Sequence, residues 1–113
     1  KALELSAMAD AMFENYVVSE IIKSYVNQGF DTRSRLCYYR DNNGREIDLI
    51  ILENGRLYPV EIKKSADPGK SALKNFSILN SLPEDTGEGA VICMTPMVIP
   101  LDEKNQLLPA ASI

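Results

Sequence analysis

Asp48 and Glu61 stand thirteen residues apart, and Lys63 follows the glutamate by two. Two carboxylates brought together can share one hard divalent cation, Mg²⁺ or Mn²⁺, with oxygen ligands at about 2.0 to 2.1 Å for Mg²⁺. Such a cation lowers the pKa of water toward that of a usable nucleophile. A lysine beside it can steady negative charge on a phosphoryl oxygen. An acid pair, a cation and a lysine suffice for phosphodiester hydrolysis. The chain contains no histidine, which removes Ser-His-Asp and Cys-His nucleophilic sites and most zinc sites. Any hydrolytic chemistry must therefore run on carboxylates, lysine and a hard cation.

The stretch that must position these groups is 43–64, NGREIDLIILENGRLYPVEIKK. Asn54-Gly55 favours a two-residue type I′ hairpin turn. With that turn Glu53 opposes Arg56, Asp48 opposes Glu61, and Glu46 opposes Lys63. Strand alternation then places Glu46, Asp48, Glu61 and Lys63 on one face. Ile47, Leu49, Ile51, Tyr58, Val60 and Ile62 fall on the other, the expected core face. Glu46 against Lys63 reads as an ordinary cross-strand ion pair. Asp48 against Glu61 does not, because directly opposed like charges destabilise a sheet, the more so when partly buried. A shared proton, a bound cation, or a bulge that shifts the register would each resolve the conflict.

Apolar residues at three- and four-residue spacing (Leu5, Met8, Met12, Phe13, Tyr16, Val17, Ile21, Tyr25) predict a helix over 5–28, stopped by Gly29. Strands are predicted over 33–40, 45–53 and 56–63. Asp67-Pro68 resembles an N-cap and first helical position, opening a second helix through Leu82. EGAVICMT (88–95) reads as a covered strand, and the tail 96–113 as a short strand or hairpin. The order helix, three-strand meander, helix, strand predicts an α/β sandwich whose mixed sheet is covered on both faces.

At 113 residues the chain is expected to be one domain. No apolar run approaches the roughly 20 residues of a membrane helix, and the start, KALELSAMAD, has no signal-peptide pattern. A chain beginning at Lys1 reads as a piece of something longer. Cys37 and Cys93 sit in apolar, strand-like contexts and are expected to be reduced, buried thiols of a cytoplasmic protein. The net charge of −4 argues against bulk attraction to nucleic acid. Lys63, Lys64, Lys70 and Lys74 nevertheless form a local basic patch, with Lys70 and Lys74 sharing a face of the predicted second helix.

Asp48 followed by Glu61-Ile62-Lys63 resembles the D…(D/E)-x-K signature of the PD-(D/E)XK nuclease superfamily, and the element order resembles its restriction-endonuclease-like αβββαβ fold. More closely, MFENYVVSEIIK, YYRDNNGREIDLII and LYPVEIKKS resemble the C-terminal domain of bacterial and archaeal AAA-type ATPases, over about residues 6–95. Ile47 stands where the superfamily's name has proline. The resemblance implies a metal-dependent nuclease-like domain with catalytic Asp48, Glu61 and Lys63, and Mg²⁺ or Mn²⁺ at Asp48 and Glu61. It also implies an acid from the first helix, Glu14 or Glu20, of which Glu14 matches better. DNA is the implied partner, met by Lys64, Lys70 and Lys74, with an ATPase domain upstream and self-association open. Two other readings stand beside this one: a catalytically silent DNA- or protein-interaction module on the same fold, and a phosphoesterase acting on smaller substrates.

Overall fold

The computed structural model describes residues 2–29 and 35–112, with side chains over 8–29 and 35–111. Leu5, the first two residues of the predicted strand 33–40, and Ile113 in the tail lie outside the described side chains or residues. Helix α1 runs Ala2–Asn27. The chain has no proline or glycine before Gly29, whose φ of +82° ends the helix in the left-handed region. Only part of the predicted apolar set faces inward. Val17 and Ile21 are buried, with Phe13, Val18 and Tyr25 packed beside them, whereas Met8, Met12 and Tyr16 point outward and are more than half exposed. No helix among the described residues is long and apolar enough to cross a membrane.

Strands β1 (Leu36–Arg40), β2 (Glu46–Glu53) and β3 (Arg56–Ile62) form the expected antiparallel meander. Asn54 and Gly55 both have positive φ, 53° and 76°, as a type I′ turn requires. The register is the expected one from Glu53↔Arg56 through Leu49↔Val60. Farther on come β4 (Asp85–Thr86), β5 (Gly89–Cys93), β6 (Ile99–Pro100) and β7 (Asn105–Pro109). The mixed sheet has the order β1-β2-β3-β5-β7-β6, with β4 beside the start of β3. β5 lies parallel to β3 and to β7, while β6 and β7 make an antiparallel pair. The tail therefore widens the sheet by two strands. Pro59 sits inside a central strand because β3 changes partner around it: β4 pairs with Arg56 and Leu57, and β5 begins at Val60. No neighbouring strand needs the N–H that proline lacks.

The predicted second α-helix is absent. Residues 67–82 instead form two short 3₁₀ helices, Lys70–Leu73 and Phe76–Ser81. Gly69 enters extended, the Lys74-Asn75 turn separates the pieces, and the Asn75 side chain donates to the Glu46 carbonyl at 2.9 Å. The segment is rich in serine and asparagine, which compete with a helical backbone for hydrogen bonds. Leu73, Phe76 and Leu79 recur every third residue, the period at which 3₁₀ side chains stack over one another.

α1 covers one face of the sheet through Val17, Ile21, Leu49, Val60, Ile62 and Ile92. The 3₁₀ segment covers the other through Phe76 and Leu79 against Ile47, Ile50 and Leu57. Ile47 thus departs from its expected face, and a bulge is the reason. β1 pairs Cys37 with Ile50 and Tyr39 with Ile47, so Tyr38 alone stands opposite two residues, Asp48 and Leu49. A bulge of this kind breaks the two-residue alternation. Cys93 is buried as expected, whereas Cys37 is exposed because β1 is an edge strand. Ile62→Ala should lower the free energy of unfolding in urea by about 2 to 5 kcal/mol, by lost transfer energy and an unfilled cavity. Met12→Ala, on the outer face of α1, should change it by less than about 0.5 kcal/mol.

Candidate active site

The β2–β3 ladder ends at Leu49↔Val60, one pair before the two acids, and side chains replace it. The Ile62 N–H donates to Asp48 Oδ2 at 2.8 Å, and the Asp48 N–H donates to Glu61 Oε1 at 3.4 Å. Each carboxylate thus takes a backbone amide of the opposing strand. Beyond the ladder the expected ion pair of Glu46 with Lys63 does not form. Glu46 meets Arg40 at 3.3 Å. Lys63 Nζ lies 3.7 Å from Glu61 Oε2, and the Lys63 N–H donates to the Ile92 carbonyl of β5.

The bulge turns Asp48 toward α1, where Glu14 shares a hydrogen bond with it. Glu14 lies three residues before buried Val17, so the packing of α1 on the sheet carries it to the site. Glu20 does not reach the site and pairs instead with Lys23 of its own helix at 3.6 Å. Among the described residues Glu61 is the one buried carboxylate, 7% exposed. Burial and the neighbouring Asp48 charge push its pKa to about 7, against the partial relief that Lys63 supplies. Burial also raises Asp48, opposed by the Ile62 amide and by Lys63. Glu14 is raised by burial and by the charges of Asp48 and Glu46. Its hydrogen bond with Asp48 raises Glu14 and lowers Asp48. At neutral pH the cluster holds fewer charges than its three carboxyls could carry.

These groups line a cavity of about 770 Å³ between α1, the open end of β2–β3 and the first 3₁₀ helix. Lys63, Lys64 and Lys74 line it too. Lys70 does not; its charge acts on Asp102 instead. The expected shared face of Lys70 and Lys74 required an α-helical turn, which the 3₁₀ geometry does not provide. Asp10, one turn before Glu14 on α1, also borders the cavity. Sequence reasoning missed it, although its four-residue spacing from Glu14 was a usable signal. Arg45 borders the cavity as well, with its Nε 2.8 Å from Asp41 Oδ2.

The fit of a metal can be judged from the donors. Asp48 and Glu61 each accept one backbone amide, and their remaining capacity meets Glu14 at Asp48 and the Lys63 ammonium at Glu61, partners that a cation would have to displace or share. Both are hard oxygen ligands of like charge in partial burial, which suits Mg²⁺ or Mn²⁺. Among the described residues no group of three or more acids, cysteines or histidines is arranged to hold a metal. Asp48 and Glu61 are the carboxylates that would hold a hard cation, and water would have to complete its coordination.

The sequence profile of a domain of unknown function, DUF4143, matches residues 9–113. The chain belongs to that family. The match spans every residue of the site, from Asp10 to Asn75, and the whole sheet. No curated protein and no solved structure matches the chain.

A carboxyl whose pKa is raised by folding contributes stability that is full below its unfolded value and lost as pH rises through its folded value. For Glu61 that window runs from about 4.5 to about 7, and raised Asp48 and Glu14 act in the same direction. In chelator the melting temperature should therefore fall between pH 5 and pH 8. Glu61→Gln should flatten that fall and raise the melting temperature at pH 8 by several degrees, at roughly 4 °C for each kcal/mol. A thermal melt series across pH for both proteins checks this.

Proposed function

We propose that this domain is a metal-dependent, nuclease-like phosphodiesterase carried by a AAA-type ATPase, acting on DNA in the cytoplasm. The observation that carries the reading is the convergence of Glu14, Asp48, Glu61 and Lys63 on one cavity, at the point where the β2–β3 ladder opens. The resemblance to the PD-(D/E)XK pattern and its restriction-endonuclease-like fold supports the same conclusion. Asp48 and Glu61 would hold the Mg²⁺ or Mn²⁺, which supplies Lewis acidity at the phosphoryl group and lowers the pKa of water. Lys63 would steady charge developing on a phosphoryl oxygen, since its ammonium lies beside Glu61 and is half exposed to the cavity. Glu14, whose carboxyl is raised by burial and by the neighbouring acids and lines the same cavity, would exchange a proton with water at the site. Lys64 and Lys74 would meet the flanking phosphates.

A second reading, a catalytically silent interaction module on the same fold, draws on two observations. The acids are already satisfied by backbone amides and the Glu14–Asp48 hydrogen bond, and the chain is net acidic.

Two measurements separate the readings. Millimolar Mn²⁺ or Mg²⁺ should raise the melting temperature of the unmodified chain, since a ligand bound only by the folded state stabilises it. Asp48→Asn should abolish that shift while leaving the metal-free protein as stable or more so. In a DNA cleavage assay, Lys63→Ala should lower kcat by about 10²- to 10³-fold, the usual loss for one charge-stabilising donor. Cleavage that survives Asp48→Asn, or a chain that neither cleaves nor responds to either ion, would overturn the catalytic reading.

A further inference from the structure

A second cavity, of about 340 Å³, adjoins the first and shares Glu14, Glu46 and Asp48 with it. Its other walls come from α1, including Asn15, and from Tyr38, Tyr39 and Arg40 of β1. The two tyrosines differ in what they do. Tyr39 packs on the Ile47 and Phe76 side of the sheet and donates its hydroxyl to Asp41 at 3.0 Å. Tyr38 is 69% exposed, and its hydroxyl has no hydrogen-bond partner among the described residues. It stands opposite the bulge that aims Asp48, so the irregularity that builds the acid cluster also sets an aromatic ring beside it. The Arg40 guanidinium lies 5.8 Å from the centre of that ring. Its Nε is held 3.3 Å from Glu46 Oε2, so the ring and the cation form one braced platform.

The two cavities differ in chemistry on either side of the acids. One side presents Lys63, Lys64 and Lys74, which suit phosphates. The other presents an open aromatic face with a guanidinium against it, which suits a nucleobase, because every base has a π face and stacks without regard to sequence. A small phosphoester would occupy only the first side. A base inside a duplex has its faces covered by neighbouring pairs and could not lie on Tyr38 without leaving the stack.

We infer that the Tyr38–Arg40 cleft is a base-stacking subsite, and that the substrate is a nucleic-acid strand with an unpaired base next to the phosphodiester held at the acids. This deepens the phosphodiesterase reading and rests on it for what lies at Asp48 and Glu61. The subsite itself is read by binding, without metal and without turnover.

The test is fluorescence anisotropy of a labelled single-stranded oligonucleotide at low salt in chelator. A duplex of the same length is run beside it, with the unmodified chain, Tyr38→Ala and Tyr38→Phe. Tyr38→Ala should weaken single-strand binding roughly tenfold, within the range for loss of one stacked base. Tyr38→Phe, which keeps the ring, should bind as the unmodified chain does, and duplex binding should be weaker and indifferent to both changes. Tyr38 is a surface residue, so each variant should keep its melting temperature and its response to Mn²⁺. Single-strand binding unchanged by Tyr38→Ala, equal loss on duplex, or no single-strand binding at all would overturn the subsite. Tyr38-dependent binding by a chain that never cleaves would support the subsite while removing the catalytic reading. Cleavage with no dependence of binding on Tyr38 would do the reverse.

Discussion

The structure turns on two like-charged carboxylates that cannot lie quietly opposite each other in a continuous ladder. Asp48 and Glu61 occupy the pair that would follow Leu49↔Val60, and there the backbone pairing stops. Each acid accepts the amide of the facing strand, so the charges are held by N–H dipoles that the ladder would otherwise have used. An amide bonded to a carboxylate is stronger than one bonded to a carbonyl. The exchange keeps the buried donors satisfied while opening a cleft between strands. That opening forms one wall of the cavity of about 770 Å³, whose other walls are α1 and the first 3₁₀ helix.

The rest of the sheet is arranged so that this open end tolerates the strain. β3 is clamped on its far side by β5 through Val60, Glu61 and Ile62, and the Lys63 amide extends that contact to Ile92. The strand bearing Glu61 and Lys63 is thus fixed even where it loses its other neighbour. β2 absorbs the mismatch with a bulge against β1, which sends Ile47 to the 3₁₀ side and Asp48 toward α1. Two hydrophobic layers then lock the result. Leu49, Val60 and Ile62 meet α1, and Ile47 and Ile50 meet Phe76 and Leu79.

The electrostatics follow from the packing. Burial raises all three acids, and nearby charges add to it: Asp48 and Glu46 at Glu14, Asp48 at Glu61, and Glu46 at Asp48. The Glu14–Asp48 hydrogen bond lowers Asp48, and Lys63 lowers all three. At Glu61 burial and the Asp48 charge outweigh the relief from Lys63, which pushes its carboxyl from 4.5 up to about 7. Glu61 therefore changes charge near neutral pH, far from the range of an exposed glutamate.

Much of this was legible from residue order. Asn54-Gly55 determined the hairpin and its register, because few backbones other than a type I′ turn use those residues so readily. That register brought Asp48 and Glu61 together and made their conflict visible, and Glu14 was within reach of helical spacing. The three-residue period of Leu73, Phe76 and Leu79 also stood in the sequence, though the Asp-Pro start pointed to an α-helix instead. What the chain alone could not determine was the side to which Asp48 turns, the partner of Lys63, the separation of Lys70 from Lys74, and the nearness of Tyr38 to the acids. A bulge and an interrupted ladder are set by how three strands, a helix and a 3₁₀ segment pack at once. Local pairing rules assume an alternation that such tertiary compromises break, so the residues of the site belong to the sequence and their aim belongs to the fold.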